Sequence, residues 1–326
     1  MRLSAVLTSV LATLVVAAPV EQAHEIIKRQ ASESCTVGYC TQNGGTKGGA
    51  GGASVTVKTV AELETALKRK EPLVVIIDGK ITGDAKVRVG TNDKTIIGAK
   101  GSSITGVGLQ VRRVSNIIIR NLKIGQVLAK NGDAISIDES INVWVDHCDL
   151  SGDLSAGKDD LDGLLDISHG ADFVTVSNTF FHDHWKGSLI GHSDNNAGED
   201  TGKLHVTYAN NHFKNVNSRQ PLVRFGTVDI VNTLWENVGL NAVNTRMGAQ
   251  VLVRSSALIG SSGKPAIFFA DSKQTGYAVS EDVSLGGAVI TAPKGTLTTA
   301  SLPYKVTLLG SGNIAKTIPS AAGQKL

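Results

Sequence analysis

The chain has 326 residues, of which 41% are hydrophobic and only 4% aromatic, and its formal net charge at pH 7 is +3. Leaving out residues 1–29 lowers this charge to +2. So small a surplus does not favour nucleic-acid binding, although local clusters of charge could still bind an acidic polymer. A chain of this length can bury a large core and form one domain if that domain is a barrel or a solenoid.

The amino terminus has the pattern of a secretory signal. One early arginine precedes an apolar run that ends at small residues, and this predicts a signal peptide over residues 1–18. The apolar run is too short to favour the alternative, a membrane anchor. Lys28–Arg29 resembles a dibasic processing site and predicts a propeptide over residues 19–29. We therefore expect a secreted protein with a single domain over residues 30–326.

The three cysteines fall into two groups. Cys35 and Cys40 are close enough in sequence to pair near the start of the mature chain, as is usual in secreted proteins. Cys148 is left over and lies within a strand pattern. We interpret it as a buried thiol and not as a nucleophile.

The first predicted element is a short amphipathic helix over residues 59–70. Thr59 and Glu62 have the spacing of a capping box, and an apolar stripe that includes Leu63 and Leu67 follows one face. Two β-rich segments, LVVIIDGKI and KTIIGA, come next.

From here a repeat of eight residues recurs along the chain. Its first and third positions are Ile, Val or Tyr, its eighth is apolar in every copy, and successive copies begin 26, 31, 32, 22 and 23 residues apart. The copies begin at Ile117, Val143, Val174, Val206, Val228 and Val251. A spacing of about 20–30 residues between repeats, with short strands and few helices, predicts an all-β fold, a right-handed parallel β-helix.

The fifth position of the repeat is polar throughout. It is occupied by Asn121, His147, Asn178, Asn210, Asn232 and Ser255. We expect these residues to form a bend at which amide side chains stack and bond to one another from coil to coil. A β-propeller or a sandwich is the alternative fold, but neither has such a column. His147 is accordingly interpreted as a packing residue.

Other segments are placed by the same coil pattern. The helix over residues 59–70 would cover the open end of the solenoid, which otherwise exposes a sheet edge and the core. The longer intervals between repeats predict loop insertions at 151–161 and 186–204, which would wall a groove. The tail after Ala270 either adds a last strand or packs back against the coils.

Carboxylates gather before two neighbouring repeats. Asp162 and Asp166, in DGLLDIS, fall on one face of an extended strand together with Leu164. Asp133 precedes the equivalent strand of the preceding coil. The three acids form a predicted cluster suited to Ca²⁺, which prefers oxygen ligands; without a cation their like charges would repel.

Three cations lie near these acids in the predicted coils. Lys186 follows the repeat at Val174, and Arg219 and Arg224 precede the repeat at Val228. We expect the acids and the arginines on one sheet, in successive coils about 4.8 Å apart. Considered one at a time, these residues need no function: the acids could be solvated, the lysine could lie in a loop, and the arginines could form ion pairs. The shared coil position is what indicates a site.

Four motifs resemble those of a known family. They are WVDHCDLS at Trp144–Ser151, D-x-x-x-D at Asp162–Asp166, W-K-G around Lys186 and R-x-P-x-x-R at Arg219–Arg224. In this order, across about residues 55–270, they resemble the secreted pectate/pectin lyase family. The resemblance implies a parallel β-helix, which the repeat predicts independently, and a polysaccharide lyase.

The resemblance also implies roles for individual residues. It makes Asp133, Asp162 and Asp166 the Ca²⁺ ligands, Arg219 the catalytic base, and Lys186 and Arg224 the groups that bind substrate carboxylates. Many members of the family have an acid where this chain has Asn131, so a weaker affinity for Ca²⁺ is expected. Some members have Glu where this chain has Asp162. The aspartate is the shorter of the two side chains, but it offers the same carboxylate ligand.

The implied substrate is de-esterified polygalacturonate. Pectin lyases act on methyl-esterified polymer without calcium and are rich in aromatic residues around the groove, whereas here the acids are intact and aromatic residues are few. The implied reaction is β-elimination: a base removes the C5 proton, the C4–O bond breaks, and the product carries a double bond between C4 and C5. Since a guanidinium is ordinarily protonated, we expect an alkaline optimum.

Two other functions stay open from the sequence alone. One is a pectin lyase acting on methylated pectin, and the other is a non-catalytic solenoid that binds acidic polysaccharide. His182 and His184 resemble a metal pair but lack a third ligand. We expect a monomer that binds neither nucleic acid nor membrane.

Overall fold

The computed structural model describes residues 30–326. The predicted signal peptide (1–18) and propeptide (19–29) lie outside these residues. Within them the chain forms a parallel β-solenoid of about ten turns, so the predicted parallel β-helix is confirmed. None of the helices within the described residues has the length and hydropathy of a membrane span.

Within residues 30–326, twenty-four strands and three α-helices make up the coils, their loops and their ends. In chain order they are β1 (Ala53–Val57), α1 (Val60–Leu67), β2 (Leu73–Ile77), β3 (Lys80–Val89), β4 (Lys94–Gly98), β5 (Ser103–Arg112), β6 (Ser115–Arg120), β7 (Lys123–Gly125), β8 (Ile135–Asp138), β9 (Ile141–Asp146), β10 (Asp149–Ser151), β11 (Leu165–Ser168), β12 (Asp172–Ser177), β13 (Phe180–Lys186), β14 (Ser188–Ile190), α2 (Ala197–Asp200), β15 (His205–Ala209), β16 (His212–Ser218), β17 (Leu222–Arg224), β18 (Thr227–Val231), β19 (Leu234–Glu236), β20 (Val243–Arg246), β21 (Gln250–Ile259), β22 (Pro265–Phe268), β23 (Tyr277–Ser284), β24 (Val289–Ile290) and α3 (Ser311–Ala321).

Strand pairing divides these strands into three parallel sheets. Sheet A runs β3, β5, β8, β11, β14, β17, β20, β22, β24. Sheet B runs β1, β2, β4, β6, β9, β12, β15, β18, β21, β23. Sheet C runs β5, β7, β10, β13, β16, β19, β21. The long strands β5 and β21 turn the corner between two sheets, and the apolar side chains that face inward from all three sheets form one core.

The predicted repeat has the register that the sequence indicates. Each first position pairs with the next across sheet B, as Val143 does with Val174, and each eighth position pairs across sheet C, as Phe181 does with Phe213. The fifth residue lies between the two sheets with a positive φ of 48–59° in all six copies. Asparagine is the residue that tolerates this left-handed conformation best after glycine, which explains its frequency at the bend.

The predicted ladder of stacked amides is wrong in its extent. In the part of the chain that the structure describes, the column contains one amide-to-amide bond, from Asn232 Nδ2 to Asn210 Oδ1 at 3.0 Å. Asn178 donates instead to Asp146, and Asn121 accepts from the backbone N–H of Leu326. The bend is therefore held mainly by hydrogen bonds to other segments and not by a continuous amide ladder.

Helix α1 covers the amino-terminal end of the solenoid, as predicted. In α1, Thr59 Oγ1 accepts from Glu62 N at 3.2 Å, and the Glu62 carboxylate accepts from Lys58 N at 2.7 Å, one residue before the position that a capping box requires. Leu63 and Leu67 of this helix are fully buried in the core. The helix ends at Leu67, three residues before the predicted boundary.

The carboxy-terminal tail both extends the sheets and packs back on them. Strands β23 and β24 pair with β21 and β22, and α3 then buries Ile314 and Ile318 against Leu234 and Ala257. Both outcomes that the sequence left open are thus present.

The cysteines follow the sequence-based expectation. Cys35 and Cys40 form a disulfide, with their Cα atoms 6.1 Å apart. Cys148 is fully buried, and burial raises the pKa of its thiol to about 12. The thiol is therefore protonated at ordinary pH and is not a nucleophile.

The ion pair between Arg254 and Asp229 is wholly buried. Arg254 donates to Asp229 through Nε at 2.9 Å and Nη2 at 2.8 Å, and the two side chains are 2% and 0% exposed. We expect Asp229→Asn to lower the free energy of unfolding by about 3–5 kcal/mol, because the guanidinium would remain buried without a counter-charge. Urea-induced unfolding measures this difference.

The matched control for that variant is Asp78→Asn. Asp78 pairs with Lys58 at 3.2 Å, but the two side chains are 42% and 67% exposed. Removing an exposed pair costs about 0–1 kcal/mol. Equal losses in the two variants would show that burial of the Asp229 pair contributes nothing.

Candidate active site

The outer side of sheet A carries the predicted site residues. Asp133 precedes β8, Asp166 lies within β11, and Arg224 ends β17. Asp166 is in register with Ser136 on one side and Leu189 on the other. The sheet thus brings the acids and the arginines to one surface, as predicted.

Three details of the predicted placement are wrong. Strand β14 lies between β11 and β17, so Asp166 and Arg224 are two coils apart and not in successive coils. The same strand shows that residues 186–204 are not all insertion. Leu164 is buried in the core and does not share an outer face with the acids, because the strand begins only at Leu165.

Two carboxylates face each other across a glycine. Asp133 Oδ1 accepts from Gly163 N at 2.9 Å, and Asp166 Oδ1 accepts from Leu189 N at 3.0 Å. A Cβ added to Gly163 would lie 2.6 Å from Asp166 Oδ1 and 2.8 Å from Asp133 Oδ1. The glycine therefore leaves a space between two carboxylate oxygens that any other side chain would fill.

The charges of these two acids are poorly compensated. Burial and the negative charges of Asp166 and Asp162 raise the pKa of Asp133 well above its usual range. Burial raises the pKa of Asp166 to about 7, against the opposing influence of the Arg219 charge. Two partly buried acids that repel each other in this way are suited to a cation that neutralises both.

The third predicted ligand has a different partner. Lys186 Nζ lies 3.2 Å from Asp162 Oδ1 and 3.3 Å from Asp159 Oδ1. Within residues 30–326, no group of three His, Cys, Asp or Glu side chains is arranged to hold a metal ion. The donor set around Gly163 fits a divalent cation through Asp133 and Asp166, whereas Asp162 is paired with the lysine through Oδ1.

Asn131 does not face this space with a free amide. Its Nδ2 donates to Asp84 Oδ1 at 2.6 Å, and Asp84 also pairs with Lys130 at 2.5 Å. The amide is therefore held by an acid from another coil, and it adds no charge to the pair around Gly163.

The two arginines differ in how they are held. Arg219 has a positive φ of 58°, and its guanidinium forms no ion pair or hydrogen bond with any residue that the structure describes. Arg224 donates from Nε to Asp194 Oδ1 at 2.5 Å and from Nη1 to Gly191 O at 2.9 Å. Arg219 is thus free to contact a ligand, whereas Arg224 is fixed in place.

Asp194 is the acid that positions Arg224. Burial raises its pKa, but hydrogen bonds from Ser272 and Arg224 outweigh this and lower the pKa to about 2. The carboxylate of Asp194 is therefore charged at neutral and alkaline pH.

A family model described as pectate lyase matches residues 3–325. The chain belongs to the pectate lyase family. The resemblance of the motifs is thereby confirmed, and so is the predicted class of enzyme, a polysaccharide lyase.

The named relatives are fungal. A probable pectate lyase B of Aspergillus terreus is 63% identical over 319 residues, which cover 97% of this chain and 98% of the relative. A pectate lyase of Emericella nidulans is 62% identical over 320 residues, with the same coverage of both chains.

Solved structures of bacterial enzymes have the same fold. A pectate lyase from Bacillus sp. N165, solved in complex with trigalacturonate, is 28% identical with a TM-score of 0.80, over 89% of this chain and 98% of that one. Pectate lyase II from Xanthomonas campestris is 27% identical with a TM-score of 0.76, over the same shares. The roles of the six residues in this pectate lyase stay predictions.

Three residues near the site were not predicted as members of it. Asp159 and Asp194 lie in loops that have no coil register, so no pattern marks them. Arg246 pairs in register with Arg224, and its buried Nε has no hydrogen-bond partner within the described residues. Burial and the charge of Arg224 lower its pKa. Its position was detectable, since it follows Arg224 by 22 residues, the length of one bare coil.

Proposed function

We propose that this pectate lyase cleaves de-esterified polygalacturonate by Ca²⁺-dependent β-elimination on the outer side of sheet A. The observation that supports this most directly is the pair of carboxylates, Asp133 and Asp166, that flank Gly163 beside the unpaired guanidinium of Arg219. Cations beside an acidic pair are suited to a polyanion whose carboxylates bind partly to the protein and partly to a shared metal.

The cation would be held by Asp133 and Asp166, with Asp162 as a further oxygen ligand. Bound there, Ca²⁺ would bind the C6 carboxylate of the substrate and withdraw electron density, making the C5 proton more acidic. Lys186 and Arg224 would bind substrate carboxylates, and Arg224 is preorganised for this by its bond to Asp194.

Arg219 accepts the C5 proton in this proposal. The electron pair of the C5–H bond then forms the double bond between C4 and C5, the C4–O bond breaks, and the departing oxygen takes a proton from water. Lys186 stabilises the negative charge that develops on the carboxylate. Because a guanidinium must first lose its own proton to act as a base, we expect the rate to rise towards alkaline pH.

The pairing of Lys186 leads to a further prediction. Asp159 is a surface acid, 86% exposed at its side chain, that must leave Lys186 before a substrate carboxylate can bind there. We expect Asp159→Asn to lower KM for polygalacturonate about two- to fivefold, because Asp159 itself is exposed and holds Lys186 weakly, yet competes directly with the substrate carboxylate. The kcat should not change.

Steady-state rates at low salt check this prediction, with Glu64→Gln as the control. Glu64 lies on α1, and its weak pair with Lys68 spans 3.8 Å. A lower KM in both variants would indicate a general charge effect, and an unchanged KM in Asp159→Asn would contradict the prediction.

We also propose that the mature protein is a secreted monomer with a single domain over residues 30–326. The signal pattern at the amino terminus and the single continuous core support this. Amino-terminal sequencing of the secreted protein and its mass in solution would test both points.

The experiment that tests the function is ultraviolet absorbance during incubation with polygalacturonate at alkaline pH. A rising signal that excess chelator abolishes would establish elimination and its metal dependence together. A rise that the chelator leaves unchanged, with methylated pectin preferred, would instead indicate a pectin lyase.

A further inference from the structure

A pocket separate from the candidate active site lies at the surface of sheet C, where β13 and β16 end. Its volume is about 360 Å³, within the range of about 300–1,000 Å³ typical of small-molecule sites. Besides Val216, it is lined by Leu154, Trp185, Asn215, Asn217, Asn237 and Gly239. None of these side chains is ionisable, in contrast to the charged groups of the candidate active site.

Trp185 gives this pocket an aromatic face. The chain has three tryptophans, and the other two, Trp144 and Trp235, are 3% and 1% exposed. Trp185 is partly exposed, and its Nε1 donates to Ala156 O at 2.9 Å. That bond satisfies the polar edge of the indole and fixes the ring, so that what the ring offers a ligand is its apolar face.

Asn217 supplies an amide beside that ring. Its side chain forms no hydrogen bond with any residue in the range 30–326, whereas Asn215 is already bonded to Asp183 and Asn237. A Cβ on Gly239 would lie 2.6 Å from Asn217 Oδ1. The glycine therefore leaves the carbonyl of this amide uncovered.

We propose that this pocket binds one uncharged sugar residue. The C–H face of a pyranose packs on the Trp185 ring, and its hydroxyls bond to the Asn217 amide, which both donates and accepts. The absence of ionisable groups in the lining disfavours a uronate, whose charge would lose solvation without gaining a counter-charge.

The loop that contains Ala156 and Asp159 lies between this pocket and the candidate active site. The carbonyl of Ala156 accepts a hydrogen bond from Trp185, and the carboxylate of Asp159 pairs with Lys186. A sugar in the pocket would therefore lie one loop away from Lys186. Two parts of pectin carry an uncharged pyranose, namely neutral side branches and methyl-esterified residues of the main chain, and the pocket chemistry is the same for both.

The test is a titration followed by tryptophan fluorescence, with excess chelator present. Since the other two tryptophans are buried, Trp185 should report binding. We expect a saturable change with galactotetraose, with fully methyl-esterified trigalacturonate, or with both, and the effective probe identifies the source. Asn217→Ala should weaken that binding about fivefold, as expected for one lost hydrogen bond.

The control is Leu240→Ala, on the same turn but outside the pocket, with a side chain that is 61% exposed. It should leave the affinity unchanged. Lack of binding by both uncharged probes would overturn the proposal. It would also be overturned if Asn217→Ala had no effect, or if it weakened the binding of unesterified trigalacturonate equally. Because no turnover is required, these outcomes are independent of the proposed catalytic roles.

Discussion

Replacing Arg219 by lysine is expected to lower kcat on polygalacturonate by about 10²–10⁴-fold, the usual contribution of a positioned general base. Lysine keeps the positive charge but has a compact ammonium group on a different stem, so it cannot place a nitrogen where the guanidinium lies. Because charge is retained, KM should change little. Initial rates of the absorbance increase with Ca²⁺ at alkaline pH measure both constants.

The control for this variant is Arg113→Lys. Arg113 is 61% exposed at its side chain and pairs with Glu139 at 2.8 Å. It should retain full activity. Full turnover in Arg219→Lys, with an unchanged unfolding temperature, would show that Arg219 is not the base.

Substitution of Gly163 by alanine is expected to weaken Ca²⁺ binding about 10–100-fold, the range for changes that displace metal ligands without removing them. The added Cβ would lie 2.6 Å from one carboxylate oxygen and 2.8 Å from the other, so both Asp166 and Asp133 would have to move. Calorimetric titration with Ca²⁺ measures this directly, and activity should be recovered in part at high Ca²⁺.

Gly198→Ala is the matched control for that measurement. Gly198 lies in α2, and a Cβ there would meet nothing within 4 Å. It should bind Ca²⁺ as the unsubstituted protein does. Equal affinities in the two variants would place the cation elsewhere and remove Asp133 and Asp166 from the proposed site.

The fold was predictable from the sequence because its determinants are local and repeated. Alternation of apolar residues specifies each short strand, and a polar residue that tolerates positive φ specifies each bend. His147 and Ser255 occupy the same bend as the asparagines, which shows that the position constrains the backbone more than the side chain. The stacked amides were over-predicted for this reason.

The candidate site was predictable in part. The positions of Asp133, Asp166 and Arg224 follow from coil register, and Arg246 could have been found by the same spacing. The short strand β14 was missed because its three residues carry too little pattern to be recognised. Missing it placed Asp166 and Arg224 one coil too close.

The sequence by itself determined the coils, the register of sheets B and C, and the surface on which the acids and arginines meet. Only the tertiary structure decided the partners of the charged groups: Lys186 binds Asp159 and Asp162, and Arg224 binds Asp194. The physical reason is that strand pairing depends on backbone periodicity within each coil. An ion pair or a space beside a glycine depends on where side chains from loops of unequal length meet.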